Sequence, residues 1–249
     1  MKIVALVRLT FDPKEVADLT LAAGEIQAGR TSLSLNEGDI KGIQLIKGLK
    51  KPFDAISIGQ LDNTTRVHTF VRGANAIYEI GSVLAGRYAE EDLATMINNQ
   101  VKSMGGAQMI VCSPIEQDSG RGLLPGILAA KLGYELITGV KSVSEKGNEL
   151  LVEQLLENGK QTLVVNGPVV LCPDESCELG DDPSDSFDLI EKLEKKESVK
   201  VAAETLLGGS KSGVEIMLEV PAPVAAQPTV PYTAEALKKI VSLIKPFSN

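Results

Sequence analysis

The feature that most constrains this chain is an alternation. Short runs of apolar residues, each long enough for one buried strand, are separated by stretches whose apolar residues recur at helical spacing. The runs are Ile3 to Val7, Ala55 to Gly59, Ala76 to Ile80 and Met109 to Cys112. Between them, Ile40, Ile43, Ile46 and Leu49 stripe a helix that ends before Pro52, and Thr64 to Arg72 reads as a second helix closed by Gly73. Leu93, Met96, Ile97, Val101 and Met104 stripe a third, Ala89 to Met104, with Gly105 and Gly106 as its stop. Runs that are apolar throughout suit strands buried on both faces, and strands alternating with helices build a parallel sheet covered on both sides. The expected fold is α/β: a Rossmann-like three-layer sandwich with a mainly parallel central sheet.

Met109 to Gly133 continues the pattern as strand, long loop and helix. Ser113 to Gly122 is polar and carries Pro114 and two glycines. Leu123, Leu124, Ile127, Leu128 and Leu132 then repeat at helical spacing, with Pro125 in the first turn and Gly133 as the stop. Such a loop aims free backbone N–H groups and a positive helix end outward from the sheet edge, where a phosphate is readily held. Ser119, Gly120 and Gly122 allow close approach, and Arg121 is the principal charged contact. Glu116 and Asp118 oppose a phosphate unless they face solvent or ribose hydroxyls. The plain alternative is an ordinary strand-to-helix connection, because no strong phosphate-loop pattern is present.

After Gly133 the pattern changes. Leu136 to Val143 reads as a strand, and Asn148 to Leu156 with Gln161 to Val165 as a hairpin turning at Asn158 and Gly159. Val169 to Cys172 is the return strand. Ser184 caps a short charged helix running to about Lys196, Val220 to Pro231 is a proline-rich extended linker, and Thr233 caps a last amphipathic helix, Ala234 to Ile244. Thr10 to Leu35 suits a short hairpin or excursion with Gly24 and Gly29 near the turn, and Asn36 to Asp39 offers a cap to the first helix. The expected domains are 1–219, an α/β unit, and 220–249, the linker and terminal helix.

Composition narrows the function. With 43% hydrophobic and 23% charged residues the chain belongs with globular rather than disordered proteins. A net charge of −8 argues against a nucleic-acid partner, whose binding rests on clustered Lys and Arg. The run Ile3 to Val7 is too short for a signal peptide and nothing is long enough to span a bilayer, so no membrane insertion and a cytoplasmic location are expected. Cys112, Cys172 and Cys177 cannot all pair and match no zinc or redox spacing, so no metal site is expected. His68 is the single histidine and sits on a helix face with Val67, Phe70 and Val71. No catalytic acid, base or nucleophile stands out.

Residues Gly122 to Val170, GLLPGILAAKLGYELITGVKSVSEKGNELLVEQLLENGKQTLVVNGPVV, resemble the middle of the beta subunit of electron transfer flavoproteins. Upstream, MKIVALVR is similar to that family's first strand and LNEGDIKGIQLIKGLK to its Asn-led first helix. TTRVHTFVRGANAIYEI is similar to its segment with a Gly-Ala-Asp-like turn, here Gly73, Ala74 and Asn75. Order, spacing and overall length agree over nearly the whole chain. There are departures: Arg121, Gly122 and Leu123 stand where the family has Thr-Gly-Gln, Gln154 stands where an Arg is common, and Cys172 to Asp181 replaces an Asn-Glu-Pro-Arg-Tyr segment. An Arg in place of a hydroxyl keeps a grip on phosphate through its planar fork.

The resemblance implies the small subunit of a heterodimer that shuttles electrons between a flavin dehydrogenase and an acceptor. The alpha-like partner holds or shares FAD, and this chain holds AMP, or a second FAD in electron-bifurcating members. Leu6, Asn36 and Ile58 match positions lining the adenosine pocket, and the implied nucleotide set adds Gly59, Cys112, Ser113, Asp118, Ser119, Gly120, Arg121, Gly122 and Leu123. The acidic segment Glu175 to Asp185 and the following helix, with Phe187, Leu189 and Ile190, match the region that docks redox partners, and the terminal helix is expected to contact the partner subunit. Two other classes stay open. One is a stand-alone, universal-stress-like adenine-nucleotide sensor, a homodimer that binds ATP without flavin. The other is a small enzyme with Cys112 as nucleophile, although the apolar run before Cys112 and the lack of a nearby basic residue favour a buried structural thiol.

Overall fold

The computed structural model describes residues 1–11, 20–22, 25–27, 33–81, 88–117, 120–147 and 149–208. The chain divides into two units, Met1–Thr20 with Ile26–Ile216, and Leu21–Glu25 with Met217–Asn249. The linker and helix expected over 220–244 lie outside the described residues, as do Gly24, Gly29, Asp118 and Ser119.

The strands, in chain order, are β1 (Ile3–Val7), β2 (Leu9–Phe11), β3 (Thr20–Ala22), β4 (Glu25–Gln27), β5 (Leu33–Leu35), β6 (Phe53–Ile58), β7 (Ala74–Ile80), β8 (Met109–Val111), β9 (Glu135–Lys146), β10 (Glu149–Leu156), β11 (Gly159–Val165), β12 (Val169–Pro173) and β13 (Val199–Val201). The helices are α1 (Glu37–Gly48), α2 (Asn63–Val71), α3 (Glu90–Ser103), α4 (Leu124–Leu132), α5 (Phe187–Leu193) and α6 (Ala203–Leu207). Among the described residues the main sheet has nine strands, in the order β11-β10-β9-β12-β8-β1-β6-β7-β13. From β9 to β13 every neighbouring pair is parallel, and β9, β10 and β11 form an antiparallel meander at the other edge.

Alternation along β1 sends its residues to two cores. Ile3, Ala5 and Val7 join Ile43, Leu45, Ile46 and Phe70 from α1 and α2 on one face. Val4 and Leu6 join Leu93, Met96, Ile97, Leu124, Leu128 and Leu206 from α3, α4 and α6 on the other. The molecule is therefore the expected α/β three-layer arrangement, with a largely parallel sheet between helices.

Several local expectations change. Thr10 to Leu35 is not one hairpin: β2 pairs antiparallel with β5, Leu9 opposite Leu35, and β3 with β4 form a separate small sheet. The β10–β11 register sets Leu156 opposite Gly159, so the turn residues are Glu157 and Asn158, and Gly159 opens the return strand at φ 150°. Ser184 caps no long helix. Its N–H donates to the Asp182 carboxylate at 2.9 Å within a turn of 3-10 helix, Pro183–Asp185, and α5 starts only after Ser186. Strand β13 and helix α6 have no counterpart in the sequence reading, because VKV is a short edge strand whose Val199 and Lys200 stay exposed.

Candidate functional site

From β1 the chain builds outward through β6 to β7, then returns to the opposite side of β1 for β8. Where strand order reverses in this way, the loops leaving β1 and β8 part at the carboxyl edge and open a crevice, the usual ligand position in open α/β sheets. Arg8 leaves β1 there, Ser113 follows β8, and α1 begins beside them at Glu37.

The residues at this edge form a buried ionic cluster. Arg8 is 3% exposed. Its Nε and Nη2 donate to the two Asp39 oxygens at 3.2 and 3.3 Å, and its Nη1 donates to Glu116 Oε1 at 2.7 Å. Asp39 also accepts the backbone N–H groups of Arg8 at 3.1 Å and Ser113 at 2.8 Å, so one carboxylate ties the ends of β1 and β8 to the first turn of α1. Burial works against the Arg8 charge, but Asp39, followed by Glu116, outweighs it and holds the guanidinium pKa above its ordinary value.

Glu90, at the start of α3, is buried beside the same cluster, and neither carboxylate oxygen has a hydrogen-bond partner among the described residues. Arg121 Nη1 lies 3.9 Å from its Oε1. Burial first, and Glu116 second, push the Glu90 carboxyl above its ordinary pKa against the opposing pull of Arg121 and Arg8.

Asn36 straps the long loop to α1. Its side chain makes no cap bond to the helix. Instead Asn36 Oδ1 accepts the Gln117 N–H at 3.2 Å, its Nδ2 donates to the Ile115 carbonyl at 3.4 Å, and the Glu37 N–H donates to Gln117 Oε1 at 3.1 Å. Gly38 and Gly42 let α1 lie close to β8: a Cβ at Gly38 would fall 2.0 Å from Ser113 Oγ and one at Gly42 2.7 Å from Val111 Cγ1. A cavity of about 380 Å³ opens here, walled by Glu37, Lys41, Ser113, Gln117, Asp174 and Glu175 among others.

No protein-family model and no curated protein matches this chain.

The geometry gathers the sequence-derived residues at one sheet edge but in unequal roles. Asn36, Ser113 and the described part of the loop meet at the start of α1. Leu6, Ile58 and Cys112 are buried beneath them in the core facing α3 and α4, and Gly59, at φ 92°, donates its N–H to the Ile80 carbonyl. Cys112 Sγ lies 4.0 Å from Cys172 Sγ, and this contact, then burial, pushes its thiol well above the usual pKa, as suits a structural thiol. Arg121 and Gly122 are exposed just before α4. Leu123 does not continue the leucine stripe: it is 63% exposed, because the helix begins one residue later.

The loop also differs from the expectation of free backbone donors. The N–H groups of Ile115, Glu116, Gln117 and Gly120 are donated to Ser113 Oγ, the Arg121 carbonyl, Asn36 Oδ1 and the Glu116 carbonyl. Glu116 faces neither solvent nor an open site but pairs with Arg8. Sequence reading passed over Arg8 and Glu90 and took Asp39 for part of a cap. The available signal was a lone charge immediately after a fully apolar strand, at the end where α/β sheets bind ligands. On α5, which lies against α2, Phe187 and Leu189 are 78% and 45% exposed, and Ile190 is half-buried.

Proposed function

We propose that the chain is the small, adenine-nucleotide-binding subunit of an electron-transfer-flavoprotein-like heterodimer. The observation that carries the reading is the meeting of Asn36 with Ile115 and Gln117 of the loop after β8, at the strand-order reversal between β8 and β1. These are the segments through which the resemblance binds a nucleotide. The neighbouring cavity is at the small end of the range for organic ligands, and its carboxylates suit hydroxyl donors rather than phosphate. The phosphate belongs at Arg121, an exposed residue just before α4 whose guanidinium offers a planar grip on phosphate oxygens. Glu116 is turned to Arg8 at 2.7 Å rather than to the crevice, which lessens its repulsion of a phosphate.

A flavin bound in the heterodimer supplies the redox chemistry, and this chain's residues fix position. The exposed apolar side chains of α5 and the acidic segment before it support docking of a flavin dehydrogenase, and an alpha-like subunit completes the FAD site. Titration of AMP, ADP and FAD into apo protein, Arg121→Ala and Arg121→Lys tests the site. A charge-assisted bond contributes roughly 1.5 to 3 kcal/mol, so Arg121→Ala weakens binding by about one to two orders of magnitude and Arg121→Lys recovers part of the loss. Equal affinity in all three proteins moves the site elsewhere, and preference for FAD over AMP places the chain with bifurcating members.

A further inference from the structure

We infer that the carboxyl ends of β7 and β13 form a second binding site, for a compact organic cation bearing a primary ammonium or guanidinium group. It rests on observations independent of the nucleotide reading. A cavity of about 430 Å³ is walled here by Gln60, Glu79, Gly81, Tyr88, Lys200 and Glu204, with backbone of the β13–α6 turn.

Glu79 is 0% exposed. Its Oε2 accepts the Leu61 N–H at 3.2 Å and pairs with Lys200 Nζ, while its Oε1 is buried with no hydrogen-bond partner among the described residues. Leaving a buried acceptor unmatched is costly, more so when it is charged, so native proteins rarely keep one without a use. The missing partner is a donor, and the surrounding charge selects a cationic one. Glu79 and the exposed Glu204 bring two carboxylates against one ammonium, that of Lys200 on Glu79 Oε2, which leaves a net negative charge at the cavity. Burial, then Glu204, raises the Tyr88 phenol above its ordinary pKa, so at neutral pH it stays uncharged and able to hydrogen-bond.

Gly81 keeps the space open. Its φ is 69°, and a Cβ there would lie 3.2 Å from both Tyr88 Oη and Ala203 Cβ. A guanidinium or ammonium offers several N–H donors in a small volume, enough to meet Glu79 Oε1 and a second acceptor together.

The test is an NMR titration of the full ¹⁵N-labelled chain with methylguanidinium chloride and n-butylammonium chloride, with potassium chloride and glycerol as controls. The expected result is saturable shifts centred on the amides of Gln60, Gly81, Tyr88 and Ala203, produced by the organic cations alone. Glu79→Gln should weaken binding about tenfold or more, and Glu204→Gln by a smaller factor. If Glu79→Gln does not fold, the wild-type shift map and Glu204→Gln decide. Shifts that do not saturate, that potassium or glycerol reproduces, or that centre elsewhere overturn the site, as does equal affinity in wild type and the folded variants.

Discussion

Arg8 holds two carboxylates that lie 31 and 108 residues away in sequence, in a space where none of the three side chains meets bulk water. Breaking such a group by removing one member leaves buried charge uncompensated, which costs about 3–5 kcal/mol. Arg8→Met is therefore expected to lose that much in urea unfolding; a loss under about 1 kcal/mol, the scale of an exposed pair, would show the cluster to be hydrated in solution. Glu90 is the opposite case, a buried carboxyl with no hydrogen-bond partner among the described residues. With its folded pKa raised above the unfolded value, the folded state holds the extra proton across that window, so its contribution to stability falls as pH rises through it. Glu90→Gln removes the charge, so its Tm should exceed that of wild type at neutral pH, and the difference should vanish as pH falls below about 4. A Tm difference independent of pH would remove Glu90 ionisation as the cause.

Helix α1 is placed by its glycines. Ala in an exposed helix interior is normally favoured over Gly by about 0.8–1 kcal/mol. At Gly38 the added Cβ meets Ser113 Oγ, so Gly38→Ala should reverse that sign and cost about 1–3 kcal/mol in chemical denaturation. Gly48→Ala is the internal control: its Cβ has only an ordinary contact 3.7 Å from the Val143 carbonyl, and it should be neutral or stabilising. Equal effects at the two positions would mean that α1 does not press on β8. The elements themselves were largely legible. The stripe of α3 is long and regular, and Leu93, Met96, Ile97 and Val101 are all buried. What escaped is explained by the same physics. Strand β13 has too few residues and too little burial to leave a periodic signal, and it exists because β7 offers it a parallel edge. The Arg8 cluster is long-range, so no spacing rule finds it, and one of the loop's N–H groups, that of Gln117, is taken by Asn36 81 residues away.

At the scale of the molecule, the reversal of strand order carries the loops after β1 and β8 and the start of α1 to one crevice, while α5 presents its apolar side chains on the surface. Among the described residues no helix is long and apolar enough to cross a membrane. The proposed function needs a nucleotide at the reversal and a larger flavin-bearing subunit beside it. An adenine nucleotide held in a crevice built from three chain segments should survive purification, because its release requires those contacts to part together. The most direct measurement is to denature the chain purified without added nucleotide and identify what is released by chromatography and mass. The account predicts AMP, or FAD if the chain is of the bifurcating kind, in an amount approaching one per chain. Release of ATP from a colourless homodimer would support a nucleotide sensor instead, and a nucleotide-free protein that binds neither AMP nor FAD on titration would contradict the account outright.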